Sequence, residues 1–196
     1  MIKASVKTTL PTKFGKFIIY SFPSNFHLFP HVVLASENTD FTKTVNVRIH
    51  SECMTGDMFG SLRCDCGDQL DYSLNFLSEN TGIIVYLRQE GRGIGLEKKL
   101  EAYNLQDDGL DTFDANIKLG FHQDLRSYEV AIEILESFGI KKIKLLTNNP
   151  EKINAFKDTS VEVVERLPIE LPPNDENIGY LDVKRKKMGH MIKKYM

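Results

Sequence analysis

The chain has 196 residues, 41% of them hydrophobic and 27% charged, and its formal net charge is −2 at neutral pH. That length buries about 70% of the surface an unfolded chain exposes, so no metal is needed merely to hold a core together. The near balance of charge gives no global argument for nucleic acid or membranes, no apolar run is long enough to span a bilayer, and the opening Met1-Ile2-Lys3-Ala4-Ser5-Val6-Lys7 lacks a secretory signal, so a cytoplasmic protein that binds neither is expected.

Phe17 to Phe22, His31 to Glu37 and Val45 to His50 are predicted strands, because β-branched and aromatic residues dominate these short runs. Asp68 to Glu79 reads as a helix with Leu70, Leu74 and Leu77 on one face and Gly82 beyond its end. Ile83 to Leu87 is an unbroken apolar run, suited to a strand buried on both faces. Leu96 to Gln106 and Arg126 to Phe138 have helical spacing, with Gly139 as the stop of the second. Lys142 to Thr147 and Val161 to Arg166 are further strands flanking a short helix after Pro150. Strands in succession, then strands alternating with helices, predict an α+β class: a mixed β-sheet flanked by helices, in one compact domain over residues 1–196. There is no internal repeat. The basic tail from Lys184 to Lys194 reads as a solvated helix or a frayed end, and residues 184–196 are expected to be mobile.

The three cysteines, Cys53, Cys64 and Cys66, lie close together, and an odd number argues against a disulfide framework. In an extended segment Cys64 and Cys66 share a face, and Cys53 would fold back through Thr55-Gly56-Asp57. Three converging thiolates suit Zn²⁺, and three protein ligands rather than four leave a position for water, as catalytic zinc sites do. Two blander arrangements remain open at this point: His50 as fourth ligand of a closed structural site, and buried thiols that hold no metal. Three thiolates give divalent zinc a surplus negative charge, so its water is acidified less and a general base would help. Glu52, Asp65 and Asp124 are the carboxylates to consider.

Two further segments have the composition of anion sites. Arg88-Gln89-Glu90-Gly91-Arg92-Gly93-Ile94-Gly95-Leu96 joins the buried strand to a helix; its glycines let backbone amides approach an anion, and its arginines match phosphate oxygens. Taken alone it is a weak signal: it fits neither a Walker loop nor a dinucleotide fingerprint, and many glycine loops are only tight turns. Thr147-Asn148-Asn149-Pro150-Glu151-Lys152 sets a lysine in the first turn of a helix, which the helix dipole disfavours unless an anion intervenes; a solvent-facing lysine is the ordinary alternative. Two such segments beside a thiol cluster suggest a polyphosphate ligand.

Along nearly its whole length the sequence resembles GTP cyclohydrolase II. The matching pieces are Leu10-Pro11-Thr12 with Gly15 and Phe17, Arg48-Ile49-His50-Ser51-Glu52-Cys53, Thr55-Gly56-Asp57, Ser61-Leu62-Arg63-Cys64-Asp65-Cys66-Gly67 and Arg88-Gln89-Glu90-Gly91-Arg92. They continue through Ala102-Tyr103, Asp111-Thr112, Leu119-Gly120-Phe121, Leu145 to Pro150 and Lys187-Met188-Gly189-His190. One local difference is Gly93, where some relatives carry a polar residue.

The resemblance implies one Zn²⁺ per subunit on Cys53, Cys64 and Cys66, with water completing the shell. It also implies a GTP site lined by Arg48, Ile49, His50, Ser51, Glu52, Gln69, Glu90, Gly91, Arg92, Thr112, Thr147 and Lys152. The implied reaction opens the imidazole ring at C8 and releases formate and pyrophosphate, giving 2,5-diamino-6-(5-phosphoribosylamino)pyrimidin-4(3H)-one, the entry to riboflavin synthesis. Mg²⁺ with the triphosphate and a homodimer come with it. The family positions matching Asp124 and Arg126 are those of a proton acceptor and a nucleophile, and Tyr103 matches a position linked to formate release. A guanidinium stays protonated and is a poor nucleophile, so the alternative for Arg126 is to neutralise charge at the α-phosphate. Glu52 and Gln69 are both candidates to read guanine. The rivals are another zinc hydrolase of nucleotide bases, such as a deaminase, though the chain has no Cys-x-x-Cys, and a non-catalytic nucleotide-binding module with structural zinc. Some relatives are fused to a second riboflavin-pathway enzyme, for which this length leaves no room.

Overall fold

The computed structural model describes residues 2–24, 29–121 and 124–194. The chain divides into a sheet unit of Met1–His50, Leu70–Arg88 and Tyr128–Ile169 and a helical unit of Ser51–Gln69, Gln89–Ser127 and Glu170–Met196. The strands are β1 (Val6–Thr12), β2 (Gly15–Phe22), β3 (His31–Ser36), β4 (Val45–Ser51), β5 (Ile83–Leu87), β6 (Lys142–Leu146) and β7 (Glu162–Leu167). The helices are α1 (Met54–Asp57), α2 (Cys66–Asn80), α3 (Leu96–Asp107), α4 (Thr112–Lys118), α5 (Glu129–Ser137), α6 (Pro150–Asn154) and α7 (Ile178–Lys187). Among the described residues no helix is long and apolar enough to cross a membrane.

The strands of the sheet unit lie in the order β1-β2-β3-β5-β4-β6-β7. Pairing is antiparallel from β1 through β2 and β3 to β5, and parallel from β4 through β6 to β7. This is the mixed sheet with flanking helices that the order of strand and helix patterns predicts. Side chains alternate across it. Val33, Ala35, Ile83, Val85 and Leu87 join Ala131, Ile132, Ile134 and Leu135 of α5 in one core, while Ile84 joins Phe17, Leu74 and Leu77 in a second, where α2 covers the sheet. Each fully buried Leu or Ile contributes about 1.5–3 kcal/mol relative to exposure. Burial on both faces is why β5 is written as an unbroken apolar run.

Some elements depart from the sequence pattern, β1 and the start of α5 among them. β1 is exposed along most of its length and carries Pro11, so despite its Val and Thr residues it has no apolar face; it exists because β2 pairs with it at the sheet edge. Helix α5 begins at Glu129 rather than Arg126, because the Asp124–Ser127 segment is non-helical, with Arg126 turned onto Asp124.

Gly82 connects α2 to β5 at φ 138°, and a Cβ there would stand 2.3 Å from the Asn46 carbonyl oxygen. Both backbone strain and collision oppose any side chain. Gly82→Ala is therefore expected to lower stability by on the order of 3 kcal/mol, read as an earlier midpoint in urea; an unchanged midpoint would contradict this packing.

Candidate functional site

The helical unit is built around the cysteines. Their sulfur atoms all lie within 4.8 Å of one another, and Cys53 Sγ is 3.7 Å from Cys64 Sγ. A tetrahedral Zn²⁺ with Zn–S near 2.3 Å sets its sulfur ligands roughly 3.8 Å apart, close to the spacing of the Cys53–Cys64 pair, so the chemistry and closeness of the donor set fit such a metal. Among the described residues the metal-capable group comprises these three cysteines, without His50, whose ring stacks on Tyr86 at 5.4 Å in the sheet unit.

The backbone explains how three thiols converge. Cys53 precedes the single turn of α1, its N–H bonded to Asp57 Oδ2 at 3.0 Å, and Cys66 opens α2. Between them Gly56 passes so close that a Cβ would stand 3.0 Å from Cys64 Sγ and 3.2 Å from Cys53 Sγ. A Cβ on Gly67 would lie 2.4 Å from the Gly56 oxygen. The cradle therefore depends on two glycines for space, with no need of a left-handed backbone.

Within it the thiols share charge unequally. Hydrogen bonds from Cys64 and Cys66, and Lys99 alongside, hold the Cys53 thiol well below the ordinary value. Bonding to Cys53, with burial, pushes Cys64 up to about 11 and Cys66 well above the ordinary value.

Around the sulfur atoms lies a polar network carried by α3, a helix with Ala102 as its buried residue. Lys99 Nζ donates to Cys53 Sγ at 3.1 Å, Thr55 Oγ1 at 2.9 Å and Glu90 Oε1 at 2.8 Å. Burial opposes the Lys99 charge, but Cys53 and Glu90 outweigh it and raise its pKa above the usual lysine value. Glu90 also accepts from the N–H groups of Met54 and Gly91. One turn beyond Lys99, the Tyr103 hydroxyl is 3.3 Å from Thr55 Oγ1, and Arg63 covers its ring at 4.9 Å. Burial, chiefly, raises the Tyr103 phenol, so at neutral pH it is a proton donor.

Asp65 is anchored rather than poised as a base. Its carboxylate, 9% exposed, accepts from Lys184 Nζ of α7 at 2.7 Å and from Gln69 Nε2. Burial opposes the Lys184 charge, but Asp65 outweighs it, so the lysine stays charged. Thus one lysine of the basic tail is a buried counter-ion, while Lys186 is exposed; the last two residues of that segment, 195 and 196, lie outside the described ones.

Asp124 and Arg126 form an ion pair: Arg126 Nε donates to Asp124 Oδ1 at 2.8 Å, and Arg126 Nη2 to Oδ2. Burial opposes ionisation of Asp124, but the Arg126 hydrogen bonds and charge, with Arg92 behind them, hold its carboxyl below the usual range. Arg92 lies in an irregular turn, Glu90–Gly93, at φ 60°, a left-handed conformation uncommon outside glycine. Its two terminal guanidinium nitrogens are buried without a hydrogen-bond partner among the described residues. Gly93 has φ 91°, a region asparagine tolerates better than most side chains. His190 is pushed down to about 3 by burial and by Lys184, Arg126 and Arg92, so it is neutral. Gln89 donates to Ser51 Oγ at 2.8 Å, Glu52 is half-buried, and Thr112 opens α4 behind its Asp111 cap.

The remaining predicted residues stand at the C-terminal ends of parallel strands β4 and β6 in the sheet unit, where α/β folds often bind ligands. Arg48 donates to the Leu146 oxygen at 3.1 Å, and Thr147 Oγ1 accepts from Asn149 N at 3.0 Å. Lys152 is not solvent-facing: 5% exposed, it donates to the Ile49 oxygen at 2.7 Å and lies 5.5 Å from the Tyr128 ring centre.

Fold and cysteine geometry define the class as a mixed α/β protein with a three-thiol site that can hold a metal. The family model for GTP cyclohydrolase II matches residues 3–168. The chain is 51% identical over 195 residues to GTP cyclohydrolase-2 of Campylobacter fetus, covering 100% of this chain and 98% of that protein. It is 47% identical over 193 residues to riboflavin biosynthesis protein RibBA of Chlorobium phaeovibrioides, and 46% over 192 to RibBA of Bacillus cytotoxicus. These matches cover 98% and 97% of this chain, but it spans about half the length of the RibBA proteins, 47% and 48%. The chain belongs to the GTP cyclohydrolase II family and is a hydrolase.

Sequence reasoning missed Lys99 and Lys184. Lys99 had a signal, since it precedes Tyr103 by one helical turn; Lys184 was hidden in a run of similar charges. Lys184→Met removes the cation bonded to a buried carboxylate and is expected to destabilise the protein by about 3–5 kcal/mol. Urea unfolding of Lys184→Met, Asp65→Asn and the double variant checks this: most of the loss should return in the double variant, and strict additivity would contradict the pairing.

Proposed function

We propose that this chain hydrolyses GTP, opening the imidazole ring at C8, releasing formate and pyrophosphate, and so supplying the first intermediate of riboflavin synthesis. The observation that carries the reading is that three thiol sulfur atoms, the metal-capable group among the described residues, lie within 4.8 Å of one another, with Cys53 and Cys64 3.7 Å apart, close to the spacing that tetrahedral zinc sets. Cys53, Cys64 and Cys66 would hold one Zn²⁺, which when bound supplies Lewis-acid activation of water for attack on the ring.

The chain's own residues supply the rest. Arg92 brings a buried guanidinium whose two terminal nitrogens suit phosphate oxygens. Arg126 acts electrostatically at the α-phosphate rather than as a nucleophile, since it is charged and already binds a carboxylate. A phosphate that competes for Arg126 loosens its hold on Asp124, and the basicity of that carboxylate rises as substrate binds. Asp124 then accepts the proton, and Tyr103 donates from its hydroxyl during formate release. The resemblance assigns Ser51, Glu52, Gln69, Glu90, Gly91 and Thr112 to GTP, and likewise Arg48, Ile49, His50, Thr147 and Lys152 of the sheet unit. Glu52 and Gln69 both stand as readers of guanine, since a carboxylate and an amide can each pair with its edge. Mg²⁺ accompanying the triphosphate, a homodimer and a cytoplasmic setting complete the proposal.

Purified protein given GTP, Mg²⁺ and Zn²⁺ is expected to yield formate and pyrophosphate, and to stop after chelation until zinc is restored. Ammonia without formate would indicate a deaminase instead. Asp124→Asn should lower turnover by about 100-fold or more, the usual contribution of a general base, with zinc content intact; undiminished turnover would remove Asp124 from the mechanism.

A further inference from the structure

The ammonium of Lys99 has three N–H donors, and three acceptors meet it: Cys53 Sγ, Thr55 Oγ1 and Glu90 Oε1, at 3.1, 2.9 and 2.8 Å. The side chain is 12% exposed and that of Glu90 11%. Glu90 is itself fixed by the backbone N–H groups of Met54 and Gly91. A solvated surface lysine would not be held this way; the arrangement fixes the direction of every donor.

We infer that Lys99 is a positioning residue for the metal centre, donating to the Cys53 thiolate so that this sulfur gives less electron density to the metal, and tying that ligand to the Glu90–Arg92 segment. The inference rests on the reading of the three cysteines as the zinc site. A centre with three thiolates is electron-rich and a weak Lewis acid for that reason. An N–H donor aimed at one sulfur draws electron density from it and offsets this, as hydrogen bonds to ligating sulfur tune other metal centres. The link through Glu90 adds a second consequence: displacement of the Glu90–Arg92 segment by an anionic ligand is transmitted to one metal ligand and not to the other two.

The test uses the whole protein loaded with Zn²⁺ or Co²⁺. Lys99→Met, which keeps the length of the side chain and loses its charge and donors, should lower metal affinity by about 10- to 100-fold in chelator competition. In the Co²⁺ form its sulfur-to-metal charge-transfer band should move to lower energy, and Lys99→Arg should return part of both changes. With GTP, kcat should fall more than KM changes. Should Lys99→Met fail to fold, Lys99→Leu, likewise without charge or donors, is read in the same way. Unchanged affinity and band position in the variant that folds would overturn the role of Lys99 while leaving the zinc site standing. Wild-type protein that takes up no stoichiometric zinc would instead overturn the reading beneath it.

Discussion

Holding three sulfur atoms within 4.8 Å of one another is the constraint to which the helical unit answers. Thiolates repel one another, so without a metal one charge is shared and the other protons are retained, as the opposite shifts of Cys53 and Cys64 indicate. Bringing the sulfur atoms together leaves no room for side chains on Gly56 and Gly67. It also calls for fixed cations close by. Lys99 meets one sulfur directly, and Lys184 meets Asp65, which lies between two of the cysteines. The loop that carries the cysteines is thus held by charge pairs as well as by packing.

The sheet unit solves a different problem. Its two apolar layers enclose a sheet whose β4 and β6 are parallel, and that pairing sets Arg48 beside Leu146 and the Thr147–Lys152 segment. Each buried cation there places a donor on a backbone carbonyl, Arg48 on that of Leu146 and Lys152 on that of Ile49, which offsets part of the cost of burial. The segment from Asn149 into α6 owes its shape to local rules: Asn149 caps, and Pro150 stands where a helix needs no N–H.

Legibility in the sequence followed burial. The strands with apolar faces, and α2, were visible because period-2 and period-3.6 patterns survive wherever one face meets a core. β1 was invisible because an edge strand can be held by a partner's backbone alone, and α4 and α7 because short polar helices carry little periodic signal. The cysteines announced themselves by number and proximity. What the sequence could not give was the state of the groups around them. Asp65 and Asp124 look alike on paper as candidate bases, yet one is bonded to a lysine of α7 and the other to a guanidinium two residues along. Likewise the helix-dipole argument for Lys152 could not foresee that a backbone oxygen would receive its ammonium.

The proposed metal centre has three sulfur ligands and one light atom. Zinc K-edge absorption fine structure, recorded on the zinc-loaded protein with and without GTP, measures that shell directly. Three sulfur scatterers at about 2.3 Å and one oxygen scatterer at about 2.0–2.2 Å are predicted. A shell completed by an imidazole, or uptake of less than one zinc per chain, would contradict it.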